Sequence, residues 1–261
     1  MSWEGPPAPY RIETERLVVR CYEPRDAPLL KEAIDSSLEH LQPWMPWAHQ
    51  EPQTVEEKTE LIKQFRANFD SGENFTCGIF GADETQVLGG TGLHPRIGPG
   101  GLEIGYWIRV DATRQGFVTE STAALTRAAF EVCGADRVEI RIEPRNQASF
   151  GVPRKLGFAE EATLRRRLPP YDAGPLRDVT IFTMFREDFD PSLAPGIRAF
   201  DARGEQVHAP VPHRSHHQEW RLGCDRGARA ERRHADDVAI ALALVDVGLA
   251  QRSDPVMQHR A

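Results

Sequence analysis

Along the first 189 residues the apolar positions alternate between two periods, and each change of period marks a new element. A period near 3.6 marks a helix; a period of 2, or a short unbroken apolar run, marks a strand. Residues 17–22 form a short apolar run and predict a strand. Residues 24–36 follow with Ala27, Leu30, Ile34 and Leu38 at helical spacing. Residues 54–70 open with Thr54, then Glu56 and Glu57, ahead of Leu61, Ile62, Phe65 and Phe69. A hydroxyl cap, an acidic first turn and an apolar face predict a helix there.

Three strand-like runs come next, at 75–80, 87–97 and 102–110, with turns at 81–85 and 98–101. They predict an antiparallel meander. A helix from about 116 to 132 carries Phe117, Ser121, Ala124, Leu125, Ala128 and Val132 on one face. Residues 137–142 alternate apolar with charged and predict a strand. Residues 146–156 predict a short helix, imperfect because Gly151 and Pro153 lie inside it. Residues 158–168 and 179–186 predict two closing strands. The order implies an α+β fold: one mixed, mostly antiparallel central sheet flanked by helices.

Composition changes this picture near residue 190. All four lysines, Lys31, Lys58, Lys63 and Lys155, precede that point. Six of the nine histidines follow it, and there ten arginines balance ten acidic residues. The net charge of −7 therefore belongs to residues 1–189. A stretch so poor in aromatics does not build a core of its own. We expect a folded domain over 1–189 and a C-terminal appendage over 190–261: a low-complexity, Arg/His-rich tail with one possible helix at 235–250. Its His213, His216, His217 and Cys224 fit no zinc-ligand spacing, so no metal is expected.

The acidic balance argues against nucleic acid as a partner and suits a cationic one. Cys21, Cys77, Cys133 and Cys224 are far apart and form no CxxC pair, which predicts reduced thiols in a cytoplasmic protein. The start, MSWEGPPAPY, has no basic segment followed by an apolar run, so no signal peptide is expected. No run is long and apolar enough to predict a membrane span.

The candidate chemistry lies between residues 103 and 158. Residues 105–110 end a strand, and residues 111–120 turn into a helix. Such a loop aims several N–H groups at one point, the positive end of the helix dipole, and suits a pyrophosphate. Gly116 has no Cβ to obstruct the approach. Arg114 adds charge and Thr119 a hydroxyl.

Further on, Asn146-Gln147-Ala148-Ser149 leads to Lys155-Leu156-Gly157-Phe158. Together with the loop, this resembles the GNAT superfamily of N-acetyltransferases. The Rim-type branch, ribosomal-protein N-terminal acetyltransferases, is suggested by three further segments. They are Glu13-Thr14-Glu15-Arg16-Leu17-Val18-Val19-Arg20, Trp44-Met45-Pro46-Trp47 and Glu103-Ile104-Gly105-Tyr106-Trp107-Ile108. The likeness spans residues 11–187.

The resemblance implies acetyl-CoA as co-substrate and direct transfer of its acetyl group to a primary amine, on a protein N-terminus or a small molecule. The family signature, Q/R-x-x-G-x-G/A, falls on residues 113–118. Gly116 matches, while Thr113 and Val118 depart from it. Ile108, Val110, Arg114, Gln115, Gly116, Phe117, Val118, Thr119 and Asn146 are then implied to bind the coenzyme. The strand over 108–110 is implied to splay from its neighbour, with the Ile108 amide polarising the thioester carbonyl. Glu103 is the candidate base, though it equally suits a solvated sheet position, and Ser149 is the candidate acid. Trp44 and Trp47 are candidates for the acceptor wall and suit a core role nearly as well. Asn146 and Ser149 also suit a helix start, and Tyr106 and Trp107 suit a core. The protein is expected to act as a monomer or homodimer. The departures at Thr113, Val118 and Pro153 leave a second reading, a non-catalytic coenzyme A binder or sensor with the same fold.

Overall fold

The computed structural model describes residues 2–170 and 174–207. The chain opens with β1 (Arg11–Glu13) and β2 (Leu17–Cys21), then α1 (Ala27–Asp35), α2 (Leu38–Leu41) and α3 (Val55–Asp70). The meander follows as β3 (Phe75–Gly81), β4 (Val87–His94) and β5 (Gly101–Ile108). Then come α4 (Phe117–Glu131), β6 (Arg137–Ile142), α5 (Gln147–Lys155), β7 (Ala159–Leu168) and β8 (Arg177–Phe185). Two short strands end it, β9 (Arg198–Phe200) and β10 (Gln206–Val207).

The ten strands form one sheet in the order β10-β9-β1-β2-β3-β4-β5-β6-β8-β7. Every neighbouring pair is antiparallel except β5 and β6, which are parallel. That is the α+β fold with a mixed sheet that the periodicity implies. A βαβ crossover through α4 supplies the one parallel pair, since parallel neighbours cannot be joined by a tight turn.

Helices cover both faces. On one side α4 and α5 bury Ala124, Leu125, Ala128 and Phe150 against Leu102, Ile104, Ile140 and Phe182. On the other, α1 and α3 bury Leu30, Ile34 and Ile62 against Val18, Tyr22, Phe80 and Val87. α3 starts as its sequence dictates. Thr54 Oγ1 accepts from the Glu57 N–H at 3.1 Å, and the Glu57 carboxylate accepts from the Thr54 N–H at 2.7 Å. This reciprocal cap satisfies two of the four N–H groups that a helix start leaves open.

The expected domain end at residue 189 is too early. β9 pairs with β1, Ile12 facing Ala199, and β10 pairs with β9. Ala194 and Ala199 are buried, and Arg127 on α4 donates to the Ala194 carbonyl at 2.8 Å. The segment needs no core of its own because it completes the edge beside β1. The expected helix at 235–250, the tail histidines and Cys224 lie outside the described residues. Cys21, Cys77 and Cys133 are free and buried, and burial raises each thiol's pKa.

Candidate functional site

β5 pairs with β4 from His94↔Glu103 to Gly89↔Ile108. With β6 it pairs at three positions only, Gly101↔Arg137, Leu102↔Val138 and Glu103↔Glu139. Beyond Glu103 the two strands part, and β6 continues to Ile142 paired with β8. The result is a wedge-shaped opening toward the C-terminal ends of β5 and β6. The Arg109 N–H donates to the Leu88 carbonyl at 2.8 Å, which sets the parity of β5. The main chain of Gly105 and Trp107 therefore faces β4, while that of Tyr106 and Ile108 faces the opening. Gly89 allows close pairing there, because a Cβ at that position would meet the Trp107 carbonyl at 2.2 Å.

α4 begins at the same end. Gly116 precedes it with φ +84°, and no side chain caps the helix. The first-turn N–H groups, those of Phe117, Val118 and Thr119, thus keep their hydrogen-bonding capacity at the positive end of the dipole. Arg114 also takes a positive φ, 60°, with its side chain exposed. The loop is held from behind by Arg16. Its Nη1 donates to the Gln115 carbonyl at 3.0 Å, its Nε to Glu120 at 2.7 Å, and its guanidinium lies 4.8 Å from the Phe117 ring centre. Thr14 adds a bond to Glu120 at 2.6 Å. A cavity of about 570 Å³ adjoins this clamp, bordered by Gly116, Thr119, Lys155, Leu193 and Ile197.

Across the opening stands α5. Asn146 caps it, its side chain accepting from the Ser149 N–H at 3.4 Å. Pro153 lies inside the helix without breaking it. Having no N–H, it cannot bond the Ser149 carbonyl one turn back. Tyr106 fills that place: its hydroxyl donates to the Ser149 carbonyl at 3.2 Å. Burial raises the Tyr106 phenol pKa well above its usual value, so it stays protonated. Tyr106 packs against the core, as the sequence suggested, and the structure also sets its hydroxyl beside the half-buried Ser149. No spacing signal along the chain joins residue 106 to residue 149.

Glu103 lies at the closed end of the opening, buried, with Arg96 Nη2 at 2.6 Å and Nε at 3.1 Å. Arg141 reaches it at 3.7 Å, and Arg141 also holds Glu139 at 3.0 Å. The Glu103 carboxylate is thus shared between two guanidiniums. It lies five positions from Ile108, about 16 Å along a strand, so the two groups do not touch one carbonyl together.

Val110 does not fit a coenzyme-binding role through its main chain. Its N–H donates to Ser37 Oγ at 3.0 Å, and its carbonyl accepts from Thr113 Oγ1 at 2.8 Å. Arg109, buried and paired with Glu32 at 2.9 Å, ties this corner to α1. Gln115 is partly committed too, since its side chain donates to the Asp111 carbonyl at 2.9 Å. Trp47 packs edge-to-face on Trp107 at 5.8 Å, against the α1/α3 core, and Trp44 is half-buried nearby. Among the described residues no group of three His, Cys, Asp or Glu side chains could hold a metal ion. Among them, too, no helix is long and apolar enough to cross a membrane.

The family model described as "Acetyltransferase (GNAT) domain" matches residues 16–159. The chain is 26% identical over 178 residues to the Bacillus subtilis protein YdaF, across 67% of this chain and 94% of that one. It is 26% identical over 187 residues to the [ribosomal protein uS5]-alanine N-acetyltransferase of Escherichia coli K12, across 69% of this chain and 93% of that one. A solved structure of RimL, a ribosomal L7/L12 alpha-N-protein acetyltransferase in complex with coenzyme A, superposes with a TM-score of 0.59. It covers 66% of this chain and 95% of its own at 21% identity, which shows the common fold.

Proposed function

Since the chain belongs to the GNAT acetyltransferase family and is an acyltransferase, we propose that it transfers the acetyl group of acetyl-CoA directly to a primary amine. The observation that carries this reading is the opening between β5 and β6, set beside an α4 start that no side chain caps. A diphosphate is the kind of ligand those amides suit, and the opening leads from them to the Ile108 N–H.

In this reading Phe117, Val118 and Thr119 bind the diphosphate through their amides. Gly116 keeps the approach clear, and Arg114 adds charge. The pantetheine arm lies along the free edge of β5, with the Asn146 carboxamide on the far side. The Ile108 N–H polarises the thioester carbonyl and stabilises negative charge on its oxygen. The amine must be neutral to attack, so an ammonium proton leaves first to water; Glu103, about 16 Å along β5 from Ile108, is assigned as its final acceptor through a chain of waters rather than by direct contact. The amine's lone pair then forms the new C–N bond, the C–S bond breaks, and the departing thiolate takes a proton. Ser149 is assigned as the donor of that proton, and the Tyr106 hydroxyl, bonded to the Ser149 carbonyl, positions it. Trp44 and Trp47 belong to the wall on the acceptor side. A ribosomal-protein N-terminus is the acceptor favoured by the kinship with the uS5-alanine N-acetyltransferase.

Calorimetric titration of acetyl-CoA into the full chain tests the reading, with Gly116→Trp as the control. Micromolar binding that the control removes, followed by thiol release with an amine, is the expected result. Binding without thiol release across a panel of peptide and small amines would favour a coenzyme A sensor. Absence of binding by folded protein would end the proposal.

A further inference from the structure

β7 is the edge strand of the sheet, and its pairing with β8 is broken at one place. Leu164 faces Val179 and Leu168 faces Arg177, so Arg165, Arg166 and Arg167 stand opposite Asp178 alone. This is a bulge. Arg166 takes φ 56°, uncommon for a residue with a Cβ, and its N–H donates to the Asp178 carboxylate at 2.8 Å. A bulge breaks the alternation of a strand and re-aims its side chains.

All three arginines are exposed. Their side chains have no hydrogen bond, ion pair or ring contact among the described residues. The arginines nearby on the sheet differ: Arg96 holds Glu103, Arg137 and Arg141 hold Glu139, and Arg177 holds Glu143. In a chain of net charge −7, three adjacent guanidiniums that pair with none of the described residues, on a strained bulge, are a local reversal of sign.

The place matters as much as the charge. β8 runs antiparallel to β6 and β7 antiparallel to β8, so the bulge lies at the end of the sheet where β5 and β6 part. Two strand spacings separate β7 from β6, about 10 Å, and the middle of the opening adds about 5 Å. An extended peptide with its amine in the opening covers that distance in about three to five residues. β7 also presents a free backbone edge that an extended peptide can join.

We propose that the arginine bulge at residues 165–167 docks acidic side chains of the acceptor polypeptide, about three to five residues beyond its acetylated N-terminus. This rests on the amine acetyltransferase reading and names the acceptor class within it: an acidic N-terminal segment. Nucleic acid is the weaker fit. Asp178, Glu160 and Glu161 share the hairpin, and the acidic surface around it repels a long polyanion.

The test uses the full chain, acetyl-CoA and matched N-terminal peptides that differ only at about the fourth to sixth positions, as glutamate, glutamine or lysine. At low salt the glutamate peptide is expected to exceed the glutamine peptide about tenfold in kcat/KM, with the advantage shrinking as salt rises. Arg165→Ser with Arg167→Ser should erase the preference and leave the glutamine peptide as before. Arg165→Lys with Arg167→Lys should keep most of it, and thermal melts verify that both variants fold. Equal rates for the three peptides, or a lysine preference, would overturn the proposal. So would a single-stranded RNA oligonucleotide that the serine variant no longer binds, with peptides undiscriminated. Acetylation of small amines but of no peptide would also overturn the docking and leave acetyl transfer standing. No acetyl-CoA binding would remove both.

Discussion

Tyr106→Phe is the perturbation that most directly tests how α5 tolerates Pro153. The proline leaves the Ser149 carbonyl without its helical donor, and the Tyr106 hydroxyl supplies one at 3.2 Å. Deleting the hydroxyl leaves that carbonyl short of a partner, at a cost of about 1 kcal/mol, rising toward ~3 if water cannot reach it. For a chain of this size, about 1 kcal/mol lowers Tm by roughly 2–4 °C. Pro153→Ala returns an N–H to residue 153 and gives the carbonyl a second donor. In that background Tyr106→Phe should cost less, with a coupling of about 0.5–1 kcal/mol. Urea unfolding of wild type, both single variants and the double variant measures the coupling. The sign of the Pro153→Ala effect alone is not the test, because proline also restricts the unfolded chain and is buried here. Costs that add within about 0.3 kcal/mol would refute the idea that the phenol replaces the missing helical bond.

Other outcomes follow from the same geometry. Arg20 and Asp26 form a buried pair at 2.7 Å, with the guanidinium 3.9 Å from the Phe80 ring centre. Asp26→Ala should therefore destabilise by about 3–5 kcal/mol in a urea melt, and a loss under about 1 would show that Glu84 suffices as partner. Burial holds His94 well below its usual pKa, so it stays neutral when folded and binds a proton when unfolded. Stability should then fall as pH drops below about 6.5, at up to about 1.4 kcal/mol per unit until the folded form itself takes the proton. His94→Gln should flatten that slope in melts across the same range; an unchanged slope assigns it to other groups. Ending the chain after Phe189 should cost at least about 2 kcal/mol, because it strips β9 from β1 and removes the Arg127–Ala194 bond. A chain ended after Val207 should melt above one ended after Phe189, and equal melts for the two truncations would refute the longer boundary.

Much of the fold was legible because period and caps act locally. The meander of β3, β4 and β5 lies where alternation and glycine turns put it, and Thr54 caps α3 as its spacing with Glu57 implies. β1, β9 and β10 were not legible. They are three, three and two residues long, too short to show a period, and they exist because each finds an edge to pair with. In the same way the lysine-free segment after residue 190 reads as coreless, yet its first part folds by borrowing the core of the domain.

The candidate site divides along the same line. The residues at 114–119, Asn146 and Ser149 stood out in the sequence because a glycine before a helix and a polar start to the next one are local signals. The sequence also determined that α4 begins on Gly116, a residue with no side chain to cap it. Only the tertiary structure decided that β5 leaves β6 after Glu103, that Arg96 grips Glu103, that Ser37 occupies the Val110 amide, and that Tyr106 meets Ser149. Each of these joins residues on different elements. The physical reason is that a helix or strand records its own period in the chain, whereas a contact between two elements depends on how they pack, which no single segment encodes.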